Sequence, residues 1–298
     1  MKRLVYLLSC TPPLALGVGL TAAGEWGSYG SAPGAFNGPA DVAVCADGSV
    51  AVADRYNGRV QNFDAAGAYL GAWGQGVLTE PLAVAAAPDG GLYVLDRALD
   101  AVIRFDAAGT PVSRWGGRGG APGEFRDAGG LTVAPDGSVL VADAGNGRVQ
   151  RFGPDGDWLG ATDAEGNHTA SPLSYPADIA LGPEGAVYVA DAGADRIVYY
   201  TPEGDYGGGW GGYGQGPGEM FWETGVAVSP EGFVVVADTG NGRLLVFDAA
   251  GKPLAAADTA FGKKLKRPRG VAVGATGYLY VADEGNDRIV VFRLDAGG

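Results

Sequence analysis

The chain has 298 residues, with Lys+Arg 21 against Asp+Glu 34 and a net charge of −13. That acidity argues against nucleic acid, whose phosphates need clustered Lys and Arg, and a hydrophobic content of 46% excludes a disordered chain. A single His and two Cys exclude most histidine- and cysteine-based chemistry, while 54 Gly signal many turns joining many short strands.

At the N-terminus, Met1-Lys2-Arg3 precedes apolar Leu4 to Leu8 and Leu14 to Leu20, so residues 1–19 read as a leader segment and an extracytoplasmic location is expected. Pro12-Pro13 breaks the run, which is too short and interrupted for a membrane span. Next, Ala22 to Gly27 reads as a strand ending in Trp-Gly, but without the three strands that should precede it.

From there one phrase recurs, Val-Ala-Asp-x-x-Asn-x-Arg, followed by apolar residues and Phe. Its Asp falls at Asp54, Asp96, Asp143, Asp191, Asp238 and Asp283, at intervals of 42, 47, 48, 47 and 45 residues. That period suits four-stranded propeller blades and is too long for leucine-rich or ankyrin units. Within a copy, a first strand such as Val42-Ala43-Val44 turns at Asp47-Gly48 into a second that ends on the Asp. A hairpin through Asn57-Gly58, Asn146-Gly147 or Asn241-Gly242 starts a third strand at the Arg, and a fourth ends in Trp-Gly at Trp73, Trp115 and Trp210. Small residues in the first strands suit the crowded axis of a ring. The second copy has Arg97-Ala98-Leu99-Asp100-Ala101 after its Asp, without the Asn or the Arg, so the repeat does not define its hairpin geometry. The last copy completes its third strand near Phe292 and lacks a fourth. The predicted fold is all-β, a six-bladed β-propeller of four-stranded antiparallel blades spanning residues 20–298. Its ring is closed by the N-terminal strand completing the last blade, which removes two sheet edges.

The phrases Gly-Val-Ala-Val, Val-Ala-Asp-x-Gly-Asn-x-Arg and Trp-Gly-x-x-Gly-x-x-Pro-Gly-x-Phe, the last standing at Trp26 to Phe36 and Trp115 to Phe125, resemble the NHL repeat family. The resemblance covers roughly residues 20 to 298 and implies a six-bladed propeller. It also implies an interaction platform, although a related lyase uses a histidine-held metal and more distant lactonases hold a divalent cation with carboxylates and Asn.

Six-fold repetition of the Asp and Arg argues for structure rather than catalysis. The Asp is expected to cap its hairpin and the Arg to pair with a carboxylate or carbonyl of the adjacent blade. His168 stands alone in a polar loop, and Cys10 and Cys45 are unrelated to it, so a zinc site is not expected. No catalytic residue and no metal ligand is assigned. Immediately before the first strands, Asp41 and Asp178 replace the Gly of other copies and lie opposite each other in a ring of six. They could hold Ca²⁺ through water or simply accept turn hydrogen bonds. Arg55 with Tyr56, Arg97 and Arg269 fall on consecutive copies and predict a positive crescent at the channel mouth, facing Asp178 and Glu223. The expectation is a monomeric, non-enzymatic propeller that binds a protein or a small anionic ligand at this face, without cofactor, nucleic acid or stable membrane span. The alternative is a hydrolase or lyase with a carboxylate-bound divalent cation at the mouth.

Overall fold

The computed structural model describes residues 18–162 and 173–296; His168, Cys10 and residues 1–17 of the leader segment lie outside the described residues. The chain forms six four-stranded antiparallel sheets. Blade 1 comprises Pro39–Val44, Val50–Asp54, Arg59–Phe63 and Tyr69–Trp73; blade 2 comprises Pro81–Ala86, Leu92–Asp96, Ala101–Phe105 and Pro111–Gly116. Blade 3 comprises Gly130–Val133, Val139–Asp143, Arg148–Phe152 and Trp158–Thr162; blade 4 comprises Pro176–Leu181, Val187–Asp191, Arg196–Tyr200 and Tyr206–Gly211. Blade 5 comprises Gly225–Val228, Val234–Asp238, Arg243–Phe247 and Pro253–Ala257; blade 6 comprises Pro268–Val273, Tyr278–Asp283 and Arg288–Ala296, with Val18–Trp26 as its outer strand. Each inner strand neighbours the inner strand of the next blade, and blade 6 returns to blade 1. The ring is a six-bladed β-propeller, as the repeat predicts. Among the described residues no helix is long and apolar enough to cross a membrane.

Ring closure follows the predicted strand pairing, with Ala22 opposite Phe292 and Trp26 opposite Ile289. The closing strand is longer than expected at both ends: it starts at Val18, and its partner runs on to Ala296. Apolar alternation explains the extension, because Val18, Leu20 and Ala22 pack on the core that holds buried Leu294. Val18 and Gly19, read from the sequence as the end of the leader, are thus the first residues of this strand.

The hairpin of blade 2, which the repeat left undefined, has the geometry of the other copies. Asp100 takes the left-handed position at φ 45°, where blade 1 has Gly58 at φ 60° and blade 6 has Asp287 at φ 51°. Asp tolerates this region better than most residues, so the turn closes normally without the Asn or the Arg.

Blades interlock through the indole near the end of the outer strand. Trp26, Trp73, Trp115 and Trp210 each lie against a Phe of the next blade, with ring centroids 5.8, 6.5, 6.1 and 5.9 Å from Phe63, Phe105, Phe152 and Phe247. Each indole also covers the glycine of the next blade's last turn, at Gly67, Gly109, Gly156 or Gly251, where a Cβ would come within 2.6 Å of the ring.

Candidate functional site at the channel mouth

The loops leading into each blade and the second-to-third hairpins share one end of the ring. The repeated Asp binds the two together. Asp54 Oδ1 accepts from the amide of Asn37 at 2.8 Å, and Asp54 Oδ2 accepts from Arg59 Nε at 2.7 Å, while Asn57 donates to the same carboxylate. Arg59 Nη2 also reaches the carbonyls of Ala32 and Ala35 in the leading loop. Equivalent Asp–Arg pairs stand at 2.7–2.9 Å in blades 3 to 6. All six Asp are fully buried. The Arg therefore pairs with the Asp of its own blade and not with the adjacent blade, because Asp and Arg face each other across one antiparallel register. Fully satisfied buried pairs of this kind fix a loop without offering a reactive group.

Inside the mouth the inner strands line an axial channel of about 320 Å³. Asp41 and Asp178 project into it from opposite blades. Each uses one oxygen as an inter-blade clasp: Asp41 Oδ2 accepts from the Val84 amide and Asp178 Oδ2 from the Val226 amide, both at 2.9 Å. The Asp41 carboxyl leans on Gly270 and the Asp178 carboxyl on Gly130, two positions where a Cβ would collide with them. Burial pushes Asp178 up to about 7, and burial together with repulsion from Asp178 pushes Asp41 well above the usual carboxylate range. The two carboxyls disfavour joint ionisation and titrate as a pair.

The predicted arginines divide. Arg55 is buried, with Nε 2.8 Å from Glu80 Oε1 and Nη1 3.9 Å from Glu284 Oε1. Its guanidinium lies 4.8 Å from the centre of the Tyr56 ring, and that exposed ring covers Gly38. Arg97 Nη2 stands 3.1 Å from Asp127 Oδ1, and neighbouring Arg267 stands 2.9 Å from Glu284. Arg269 is different: it has no ion pair or hydrogen bond among the described residues. It is half-buried, and its charge interacts with Asp41 and Glu284 favourably and with Arg55 and Arg267 unfavourably. Among the described residues the crescent of three free cations is thus reduced to one, because Glu80, Asp127 and Glu284 neutralise the others.

Glu223 is not on the mouth surface as expected. It occupies the place of Pro39 and Pro81 at the start of an inner strand and is fully buried, with neither carboxylate oxygen hydrogen-bonded among the described residues. Burial, aided by Asp195 and Asp238, pushes it up to about 8, so it is neutral at pH 7. Sequence reading also missed an aromatic shelf. Tyr175 and Trp222 stack with centroids 5.5 Å apart and planes 27° apart, and Trp222 holds a left-handed φ of 53°. Gly38, Asp127 and Arg267 hold the same left-handed φ at this position of their copies, so the turn belongs to the repeat. Tyr175 is in electrostatic contact with Arg269, Arg97 and Asp127. Aligning the residue before each inner strand's first position gives Gly38, Glu80, Asp127, Tyr175, Trp222 and Arg267; this column held both the shelf and two of the neutralising acids.

Among the described residues no group of three or more His, Cys, Asp or Glu could hold a metal ion. The two opposed carboxylates would give only part of the six to eight oxygens that Ca²⁺ takes, so the residues present do not fit a protein-built cation cage.

No curated protein sequence matches the chain. Among solved structures, a protein of unknown function from Bacteroides thetaiotaomicron superposes with a TM-score of 0.71 at 15% identity, covering 95% of this chain and 77% of that one. A streptogramin B lyase superposes at 0.66 and 14% identity, covering 95% and 100%. A gluconolactonase from Xanthomonas campestris superposes at 0.63 and 16% identity, covering 95% and 99%. At these identities the likeness is one of fold. The NHL repeat family profile matches residues 36–63, 125–152, 224–247 and 265–292. Those segments belong to blades 1, 3, 5 and 6, the four whose Asn57, Asn146, Asn241 and Asn286 bond the repeated Asp. Four segments of the chain thus match the NHL repeat, and the chain folds as a six-bladed β-propeller.

Proposed function

We propose that the protein is a ligand-binding propeller without catalytic activity, and that its mouth takes a small anionic molecule carrying a planar group. The observation that carries this reading is Arg269, a half-buried guanidinium with no ion pair or hydrogen bond among the described residues, while Arg55 and Arg267 beside it are neutralised. A guanidinium in that position offers two parallel donors to a carboxylate. The Tyr175–Trp222 shelf offers a face for a flat ring. The Asp41–Asp178 pair offers a proton donor at the floor for a polar substituent. A thermal-shift panel of small carboxylates, phosphates and neutral sugars tests the reading: aromatic carboxylates should raise the melting temperature most, and a panel in which none does so contradicts it.

The second reading, a hydrolase or lyase working through a divalent cation, rests on the opposed Asp41 and Asp178. Metal analysis of the purified protein decides it, since a stoichiometric cation would support an enzyme. We also propose export from the cytoplasm, on the basic and apolar residues before Val18; N-terminal sequencing of the mature protein tests this.

A further inference from the structure

Four of the six blade junctions are filled by an indole. The outer-strand residues opposite Val60, Val102, Ile197 and Ile289 are Trp73, Trp115, Trp210 and Trp26. At the same register, opposite Val149, blade 3 has Thr162, and opposite Leu244, blade 5 has Ala257. The blade 5 junction is closed by the protein itself, because Ala257 packs in a cluster with Val18, Leu20 and Leu294. The blade 3 junction is not closed by any of the described residues. Gly204 of blade 4 corresponds to the glycines that the indoles cover, yet a Cβ there would meet nothing within 4 Å among the described residues. Between blades 3 and 4, a cavity of about 460 Å³ opens beside Thr162 and Gly204, walled by Leu140, Val149, Val187 and Tyr200.

We propose that this junction is a second ligand site, separate from the mouth, that takes a flat apolar aromatic molecule the size of an indole. Shape is the first argument, since the same junction in this fold accepts an indole four times over. Chemistry is the second. In the filled junctions the indole nitrogens of Trp26, Trp115 and Trp210 are buried without a hydrogen-bond partner, so the slot selects for ring shape and apolar surface and asks for no polar contact. Apolar cavities of only about 150 Å³ take up benzene. Tyr200, which stands where Phe63 and Phe152 stand in other blades, supplies the ring against which a bound aromatic would pack. At the opening, Arg151 and Asp136 pair at 2.5 Å and are both about half exposed, so a polar substituent on the ligand would meet charge only at the rim.

The test uses the full chain and 3-methylindole, the free equivalent of the missing side chain. At ten times its dissociation constant it should raise the melting temperature by about 2–4 °C, and Thr162→Ser should keep that shift. Thr162→Trp should melt higher than the natural protein without ligand and lose the shift; if the indole overpacks the slot, Thr162→Phe serves in its place. In crystals soaked with 5-bromoindole, the bromine should lie between Thr162 and Gly204. Absence of a shift in the natural protein, a shift retained in the filled variants, or bromine located elsewhere overturns the proposal.

Discussion

At the scale of single residues, the same side-chain type plays two roles, decided by what surrounds it. Arg148 is largely buried, with Nε 2.8 Å from Asp143 and Nη2 on the carbonyls of Ala121 and Glu124. Arg148→Ala leaves the buried Asp143 without its cation and should cost about 3 kcal/mol, read as a lower denaturation midpoint at unchanged slope; an unchanged midpoint would show that the pair contributes little. Arg55→Ser should also destabilise, since it orphans Glu80 and removes a favourable charge beside Glu284. Glu223 gives the pH dependence a direction. Its carboxyl titrates near 4.5 when unfolded and at about 8 when folded, so between those values the folded state holds a proton that the unfolded state has released. Stability is therefore greatest below pH 4.5 as far as this group is concerned, and falls as pH rises toward 8. Glu223→Gln should flatten that fall and raise the melting temperature at pH 8 relative to the natural protein. Equal pH profiles for the two proteins would place the proton elsewhere.

At the scale of elements, closure is carried by one strand. Val18–Trp26 covers the edge of Arg288–Ala296, sends Trp26 against Phe63 of blade 1 and pairs Glu25 with Arg288. Deleting residues 1–27 should therefore lower the melting temperature well beyond the effect of a surface substitution and promote aggregation through the bared edge. A truncated protein that melts like the full chain would show that the ring holds without it. This element was legible in the sequence because the repeat is out of phase at both ends, so a lone fourth strand at Ala22 and a missing one after Phe292 imply each other. Its true start at Val18 was obscured by the apolar leader pattern, in which Val18 and Leu20 read equally well as signal or as core.

At the scale of the whole molecule, the fold was written in local phrases repeated six times, and the site was not. Arg55 meets Glu80 from the next blade and Glu284 from the previous one, partners that are distant in sequence and adjacent only once the ring has closed. The column that supplies Glu80, Asp127, Tyr175 and Trp222 has no shared residue type, and so carried no repeat signal. Glu223 was misread because its column is otherwise mostly Pro, a buried start of strand, while its own charge suggests a surface. Cation dependence also belongs to this scale. Because two carboxylates clasped to amides make a poor cage, exhaustive chelation should leave the melting temperature unchanged; a fall restored by Ca²⁺ would favour the enzyme reading.

At the mouth, Arg269 is the group proposed to capture an anionic ligand. Titration calorimetry of benzoate, or of the best carboxylate from the thermal-shift panel, against the natural protein and Arg269→Gln tests it most directly. No ion pair among the described residues is broken by that substitution, so the melting temperature should stay within a few degrees, while affinity should fall by roughly tenfold or more. Affinity unchanged in Arg269→Gln would contradict the account.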